Sequence, residues 1–241
     1  MNKTKKISDN YNVRFVDFKS CRVFLLKMHY AKRLPNNKIS LGLFDINNNL
    51  IGVCVFGTAP SSFWNNGGSL FNYKHKITVY ELNRLCLIPN ETKNLTSFFV
   101  SQCLKKIPKP NVVVSYADKG QNHTGYIYQA CNFIYYGISK PMCKSKTYLF
   151  KNKEYHGRTM NKEKIKKLLG NKYDNNLDAE INFLKIGEIK KHQGKHRYVY
   201  INSKNKKNLI NDIILKQEPY PKDKNMRYDT NVSLDVQGFL F

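Results

Sequence analysis

The chain has 241 residues, enough for one sizeable domain or a domain with an appendage. A hydrophobic share of 41% with 13% aromatics excludes a disordered tail; no apolar run approaches membrane-spanning length and none follows the basic start MNKTKKISDN, which predicts a protein neither membrane-spanning nor secreted. The 41 basic against 17 acidic residues give +24, a surplus that draws polyanions, nucleic acid first, although a lysine-rich coding habit gives charge of the same sign.

Residues 1–17 form a basic N-terminal segment. From Phe18 to Tyr30, apolar and basic positions recur at helical spacing and predict an amphipathic helix, closed by His29-Tyr30 and followed by Lys32, Arg33 and Pro35. Leu41–Phe44 and Leu50–Gly57 read as a hairpin, with Asp45–Asn49 as the turn. Ala59–Asn72 is a Gly/Ser/Asn-rich loop that carries the sole tryptophan, Trp64. Thr78–Ile88 predicts a strand and Asn94–Ile107 a helix closed by Pro108 and Pro110. Asn111–Ala117 (NVVVSYA) is a buried strand, His123–Cys131 a short helix and Phe133–Ile138 a further strand. Beyond residue 150 the pattern weakens to a short basic helix at Lys162–Leu169, a polar loop at Lys172–Asp178, a strand at Lys195–Ile201 and an extended Glu218–Lys222. This order predicts an α/β (α+β) fold: a mixed, partly parallel sheet covered by helices, with residues 18–150 as its core. Residues 151–241 are then a basic C-terminal extension that packs on the core or docks DNA. Both parts are basic, with 21 basic and 6 acidic residues up to 150, and 20 and 11 after it. The six cysteines (Cys21, Cys54, Cys86, Cys103, Cys131, Cys143) form no CxxC pair and read as small buried hydrophobes of a reducing compartment.

Ligands of such sheets gather beyond the strand carboxyl ends, here Pro89–Asn94 and Tyr116–Gly120. Asp118 falls just past a buried strand, where a rigid backbone can aim a carboxylate; a turn-capping aspartate is the plainer reading. Tyr128 follows ten residues later, one to two turns into a helix, and is otherwise a core tyrosine. His123 lies near that helix's start, where the partial positive charge acts on an imidazole. In Tyr80-Glu81-Leu82-Asn83-Arg84-Leu85, strict alternation places Arg84 with Tyr80 and Leu82, opposite Glu81 and Asn83. An arginine there needs a carboxylate, a phosphate or a wet cleft. No HxxxH, CxxC or HExxH spacing occurs, so a metal site from His29, Asp118 and His123 would need tertiary contact to assemble it.

Two resemblances rest on these residues. Residues 80–137, with Tyr128, Ala130, Asn132-Phe133 and Gly137, resemble the GNAT superfamily of N-acyltransferases. The family's glycine-rich phosphate-binding turn is replaced here by Asn90-Glu91-Thr92-Lys93-Asn94, which weighs against the usual coenzyme A mode. More closely, the chain is similar to the Mom family of phage DNA-modification proteins over roughly residues 20–222. The shared elements are His29-Tyr30, the Gly52–Gly57 strand, Glu81–Leu85, Ser115–Asp118, His123–Phe133, Lys195–Tyr200 and Pro219–Lys222. The resemblance implies conversion of adenine N6 in double-stranded DNA to its carbamoylmethyl derivative, shielding phage DNA from restriction in the cytoplasm of the bacterial host. It maps the active site to Asp118, Tyr128, Arg84 and His29, with Ser115, His123, Glu81, Asn94 and Ser97 as further candidates. It leaves an acyl-coenzyme A or aminoacyl donor open, and iron as a cofactor. Lys32, Arg33, Lys195 and Arg197 are the candidate phosphate contacts, and Trp64 the candidate to stack on a base. An N-acetyltransferase of a protein or small amine, and a non-enzymatic DNA-binding protein, are the competing readings.

Overall fold

A computed structural model describes residues 6–59, 69–119, 123–139, 146–157, 159–191 and 194–222. Trp64 and Cys143 lie outside the described residues. The chain divides into two compact units, one of residues 1–117, 123–137 and 196–241, the other of residues 118–122 and 138–195.

The larger unit is built on seven strands, β1 (Asn12–Phe15), β2 (Ile39–Phe44), β3 (Leu50–Thr58), β4 (Thr78–Leu87), β5 (Asn111–Ala117), β6 (Ile134–Ile138) and a late strand, β10 (His196–Asn202), in the order β1-β2-β3-β4-β5-β10-β6. The expected mixed α/β sheet is what forms. β1 to β4 are antiparallel neighbours, β4 and β5 are parallel, and β10 runs antiparallel to β5. The β2–β3 hairpin closes as its turn residues dictate. Asp45 takes the Asn49 backbone N–H on Oδ1 at 2.8 Å, and Asn48 adopts the positive φ of 65° that asparagine tolerates. One face is covered by α2 (Leu95–Lys106), whose Leu95, Phe99, Val100, Cys103 and Leu104 pack against Leu41, Cys54, Phe56, Val113 and Tyr198. The other face buries Val112, Val114 and Val199 beneath Leu209 of a C-terminal helix, and Val53, Val55 and Cys86 beneath Phe24 and Leu25.

Three expectations are corrected by this geometry. The helix read across residues 18–30 is mostly something else: its last turn, Phe24–Met28, is a π-helix closed by the His29 N–H on the Phe24 carbonyl at 2.8 Å. The helix read from His123 begins only at Tyr126 (α3, Tyr126–Ala130), because Gly125 at φ 81° cannot be its first turn. And the strand read at Lys195–Ile201 is an internal strand of the large sheet, so the large unit takes residues from 196 onward that the sequence reading put in an extension. Its Asn202 amide donates to the Leu104 carbonyl at 2.7 Å, tying the strand to the end of α2.

The smaller unit has its own core of Tyr148, Met160, Ile165, Leu169, Tyr173 and Phe183. Strand β7 (Lys146–Phe150) lies between β8 (Lys153–His156) and β9 (Glu188–Lys191), with α4 (Lys162–Leu169) and α5 (Ala179–Leu184) between β8 and β9 in the chain. Buried Asn182 organises the polar loop before α5. Its amide donates to the Asp174 and Leu177 carbonyls at 2.7 and 3.1 Å, and its Oδ1 accepts from the Asp174 N–H at 2.9 Å.

An internal strand cannot be removed without leaving two rows of backbone groups unpaired. A chain ended at residue 195 is therefore expected to lose the cooperative unfolding transition of the larger unit, measured by circular dichroism. An unchanged transition would show β10 to be dispensable.

Candidate active site

The site forms where β4 and β5 part. Their parallel ladder holds only Thr78–Glu81 against Asn111–Val114. At that point β4 carries a bulge: Val55 pairs with Arg84 but Phe56 with Leu82, so Asn83 is an extra residue. The bulge inverts the alternation expected from the sequence. Leu82 keeps to the face of α2, while Arg84 turns to the opposite face, where Val55 and Cys86 pack beneath the π-helix. Across the gap, buried Ser115 donates its hydroxyl to the Leu82 carbonyl at 2.9 Å.

Groups from four segments meet here. The π-helix delivers His29, which is 9% exposed, with Tyr30 stacked on it at 4.5 Å between centroids. His123 meets the Tyr30 ring edge-on at 5.4 Å. Arg84 donates to the Asn83 carbonyl at 2.5 Å, and its buried Nε makes no hydrogen bond within the described residues. Burial lowers the Arg84 guanidinium, helped by Arg33 and opposed by Tyr30, Glu81 and Tyr128. Tyr128, on α3, is raised by burial and lowered in part by a hydrogen bond with Ser115, so its phenol is protonated at neutral pH. His29 is lowered to about 3, first by burial and then by Arg84, His123 and Arg33. Its Nδ1 accepts the Ala31 N–H at 3.1 Å, which leaves the proton on Nε2. The imidazole is thus a neutral donor and a weak base.

Of the sequence candidates, His29, Arg84, Tyr128, Ser115, His123, Glu81 and Arg33 come together in the larger unit. Lys32 is exposed at φ 41°. Asn94 and Ser97 serve the start of α2, where the Ser97 hydroxyl donates to the Asn94 carbonyl at 2.9 Å. In the preceding turn the Asn90 side chain takes the Thr92 N–H at 2.7 Å, and the Thr92 carbonyl takes the Leu95 N–H at 3.3 Å. The Thr92 and Leu95 amides are spent inside the turn and are not offered to a phosphate. Arg197 donates to the Tyr136 carbonyl at 3.2 Å and has a buried Nε. Asp118, the first residue after β5, belongs to the smaller unit and pairs there with Lys195 at 3.2 Å. No group of three or more His, Cys, Asp or Glu among the described residues is placed to hold a metal. Of the candidate metal set, His29 and His123 lie in the larger unit and Asp118 in the smaller.

Sequence reasoning missed the support under Tyr128. Tyr198 of β10, fully buried, donates its hydroxyl to the Thr124 carbonyl and accepts from the Gln129 amide at 3.0 Å. Its ring lies so close to Gly125 that a Cβ there would sit 2.3 Å from it. The turn that starts α3 is thereby pinned on both sides. The alternation Tyr198-Val199-Tyr200 marked a strand, but only the strand's central place shows which ring points at α3.

Residues 10–222 match the Mom protein family. A relative from Escherichia phage Mu, Methylcarbamoylase mom, is 29% identical over 206 residues, which cover 83% of this chain and 79% of that protein. Among solved structures, a spermidine N-acetyltransferase from Vibrio cholerae is similar with a TM-score of 0.43 at 10% identity, over 81% of this chain and 96% of that one. A ribosomal-protein-S5-alanine acetyltransferase from Vibrio fischeri gives 0.44 at 10% identity, over 81% and 94%. No helix among the described residues is long and apolar enough to cross a membrane.

Two measurements check this geometry. Tyr198→Phe leaves the Thr124 carbonyl and the Gln129 amide without their shared partner and is expected to cost about 1–3 kcal/mol in urea unfolding; a loss within error would mean the hydroxyl does not pin the turn. For His29 the folded pKa, about 3, lies below the unfolded value of about 6.5, so its contribution to stability is full above the unfolded value and is lost as pH falls toward the folded one. Wild type should therefore lose more stability than His29→Gln on acidification through that window, whereas parallel stability–pH curves would contradict a buried neutral imidazole.

Proposed function

Because the chain belongs to the Mom protein family, we propose that it transfers a carbamoylmethyl group to N6 of adenine in double-stranded DNA, the reaction for which its relative in phage Mu is named. The observation that carries this reading is the half-buried Arg84 guanidinium, its Nε unbonded among the described residues, beside a neutral His29 and a protonated Tyr128 at the parting of β4 and β5.

The adenine amine is a poor nucleophile because its lone pair is delocalised into the ring. It reacts only if its proton is removed as the new N–C bond forms and the methylene carbon's bond to the donor breaks, releasing the donor's remainder as leaving group. Asp118 is assigned as the group that accepts this proton. Tyr128, protonated, turns its O–H from Ser115, whose own proton is on the Leu82 carbonyl, to the charge that develops on the donor's leaving group. Arg84 binds an anionic part of the donor or a DNA phosphate; its free Nε and planar fork suit two-point contact with such oxygens. His29 contributes its Nε2–H as a further donor and supports Tyr30. N6 projects into the major groove, yet access to its lone pair calls for extruding the base. Tyr30, 51% exposed and stacked on buried His29, is a ready platform for an extruded ring.

Nucleoside mass spectrometry tests this directly. DNA from bacteria producing the chain should contain an adenine nucleoside heavier by one carbamoylmethyl group, and Asp118→Ala or Tyr128→Phe should lower its yield by roughly 10²–10⁴-fold. Unaltered adenine in the presence of soluble wild-type protein would remove the reading.

A further inference from the structure

The smaller unit holds 16 Lys and Arg against seven Asp and Glu, a surplus of nine in about a quarter of the chain. Within it, α4 (KEKIKKLL) shows where that charge goes unanswered. Ile165 and Leu169 turn inward, 1% and 6% exposed, against Tyr148, Tyr173 and Phe183. Lys162, Lys166 and Lys167 are exposed, and Lys164 is half-buried. Among the described residues none of these four lysines pairs with a carboxylate; the unit's ion pairs are Lys146 with Glu180 and Lys195 with Asp118.

Left alone, that pattern is unfavourable. Lys162 and Lys166 are one turn apart, as are Lys164 and Lys167, and like charges at these spacings repel by a few tenths of a kcal/mol each, about 0.2–0.5. Lys162 also stands at the positive end of the helix dipole. The fold nevertheless fixes the helix and holds two of these lysines. Asn161 caps the helix by accepting the Lys164 N–H at 2.9 Å, Lys164 lies over the Tyr155 ring at 4.9 Å, and Lys166 lies 5.8 Å from the Tyr173 ring and donates to Asn175 at 3.3 Å. The helix's one acid, Glu163, stands a turn before Lys166 and Lys167 and forms an ion pair with neither among the described residues, so a capped helix with four lysines to one carboxylate fits an external polyanion.

We propose that α4 is a docking helix for the sugar–phosphate backbone of duplex DNA, binding without regard to sequence. The inference rests on the reading that DNA is the substrate. The chemistry favours a backbone over exposed bases: lysine is a point charge that neutralises phosphate, and the two rings beside the patch are covered, Tyr155 by Lys164 and Tyr173 by its own burial at 7% exposure. Neither ring is open to stack on a single strand.

The test measures binding of the full chain to a short fluorescent duplex and to one of its single strands, by anisotropy over a series of NaCl concentrations. The variant K162Q/K164Q/K166Q/K167Q removes the patch. The variant K19Q/K105Q/K106Q/K207Q removes the same charge from exposed positions of the larger unit, and unfolding curves confirm that both remain folded. The expected result is a fall of about 10–100-fold in duplex affinity for the α4 variant, with a salt slope shallower by about 2–4. The control should fall by less than about threefold. Equal losses in the two variants, an unchanged slope in the α4 variant, or wild-type binding as tight to the single strand would each overturn the proposal. Unmodified adenine together with α4-dependent duplex binding would sink the proposed reaction and leave the docking helix standing. Full modification by an α4 variant whose salt slope is unchanged would do the reverse.

Discussion

The candidate site depends on a parallel ladder that stops early. β4 and β5 share four residue pairs and then separate, and two local features hold them apart. The extra residue Asn83 puts β4 out of phase with its pleat, and the Ser115 hydroxyl bonds the Leu82 carbonyl across the point of separation. A sheet normally keeps its two faces separate, because side chains alternate and the backbone bonds close the gap. Here the ladder has ended, so Arg84 from one face and Tyr128 from the other act on one another, with Ser115 bonded to Tyr128. Closing the ladder would return Arg84 to a plain strand position and seal Tyr128 behind the sheet.

Placing a guanidinium in that gap creates an electrostatic problem that the surrounding residues answer in a specific way. A buried cation without hydrogen bonds is costly, and another cation nearby makes it worse. His29 avoids this by remaining neutral, its Nδ1 occupied by the Ala31 amide. Tyr128 and Tyr30 present phenol oxygens, and Glu81 lies on the same strand. The guanidinium is stabilised enough to stay in place and yet keeps an unused Nε, which is the property required of a group meant to receive an anionic partner. Full satisfaction within the protein would make Arg84 a structural residue.

Much of this was legible in the chain because periodicity and turn chemistry are local signals. The hairpin at Asp45–Asn49, the β-branched strand Asn111–Ala117 and the helix ended by Pro108 all have their causes within a few residues. The candidate residues were flagged by signals as local, since Arg84 in an apolar run and the His29-Tyr30 pair depart from the pattern around them. What could not be read was tertiary. The bulge at Asn83 is set by pairing with β3, and without it alternation puts Arg84 on the wrong face. The π-helix before His29 depends on the Phe24 carbonyl being reached from five residues on. The strand His196–Asn202 has weak flanks, and its place between β5 and β6 follows from a long-range pairing that no window of sequence contains.

That last placement links the two units through the path of the chain. The strands β6 and β10 are neighbours in the sheet, yet most of the smaller unit lies between them in sequence. A flexible loop of that length would make the closing of the large sheet entropically expensive. A segment with its own apolar core is ordered by that core, which offsets part of the closure cost. Tyr198 then reaches the turn before Tyr128 only once β10 is seated. The turn beneath Tyr128 thus depends on a strand that the chain reaches only after passing through the smaller unit.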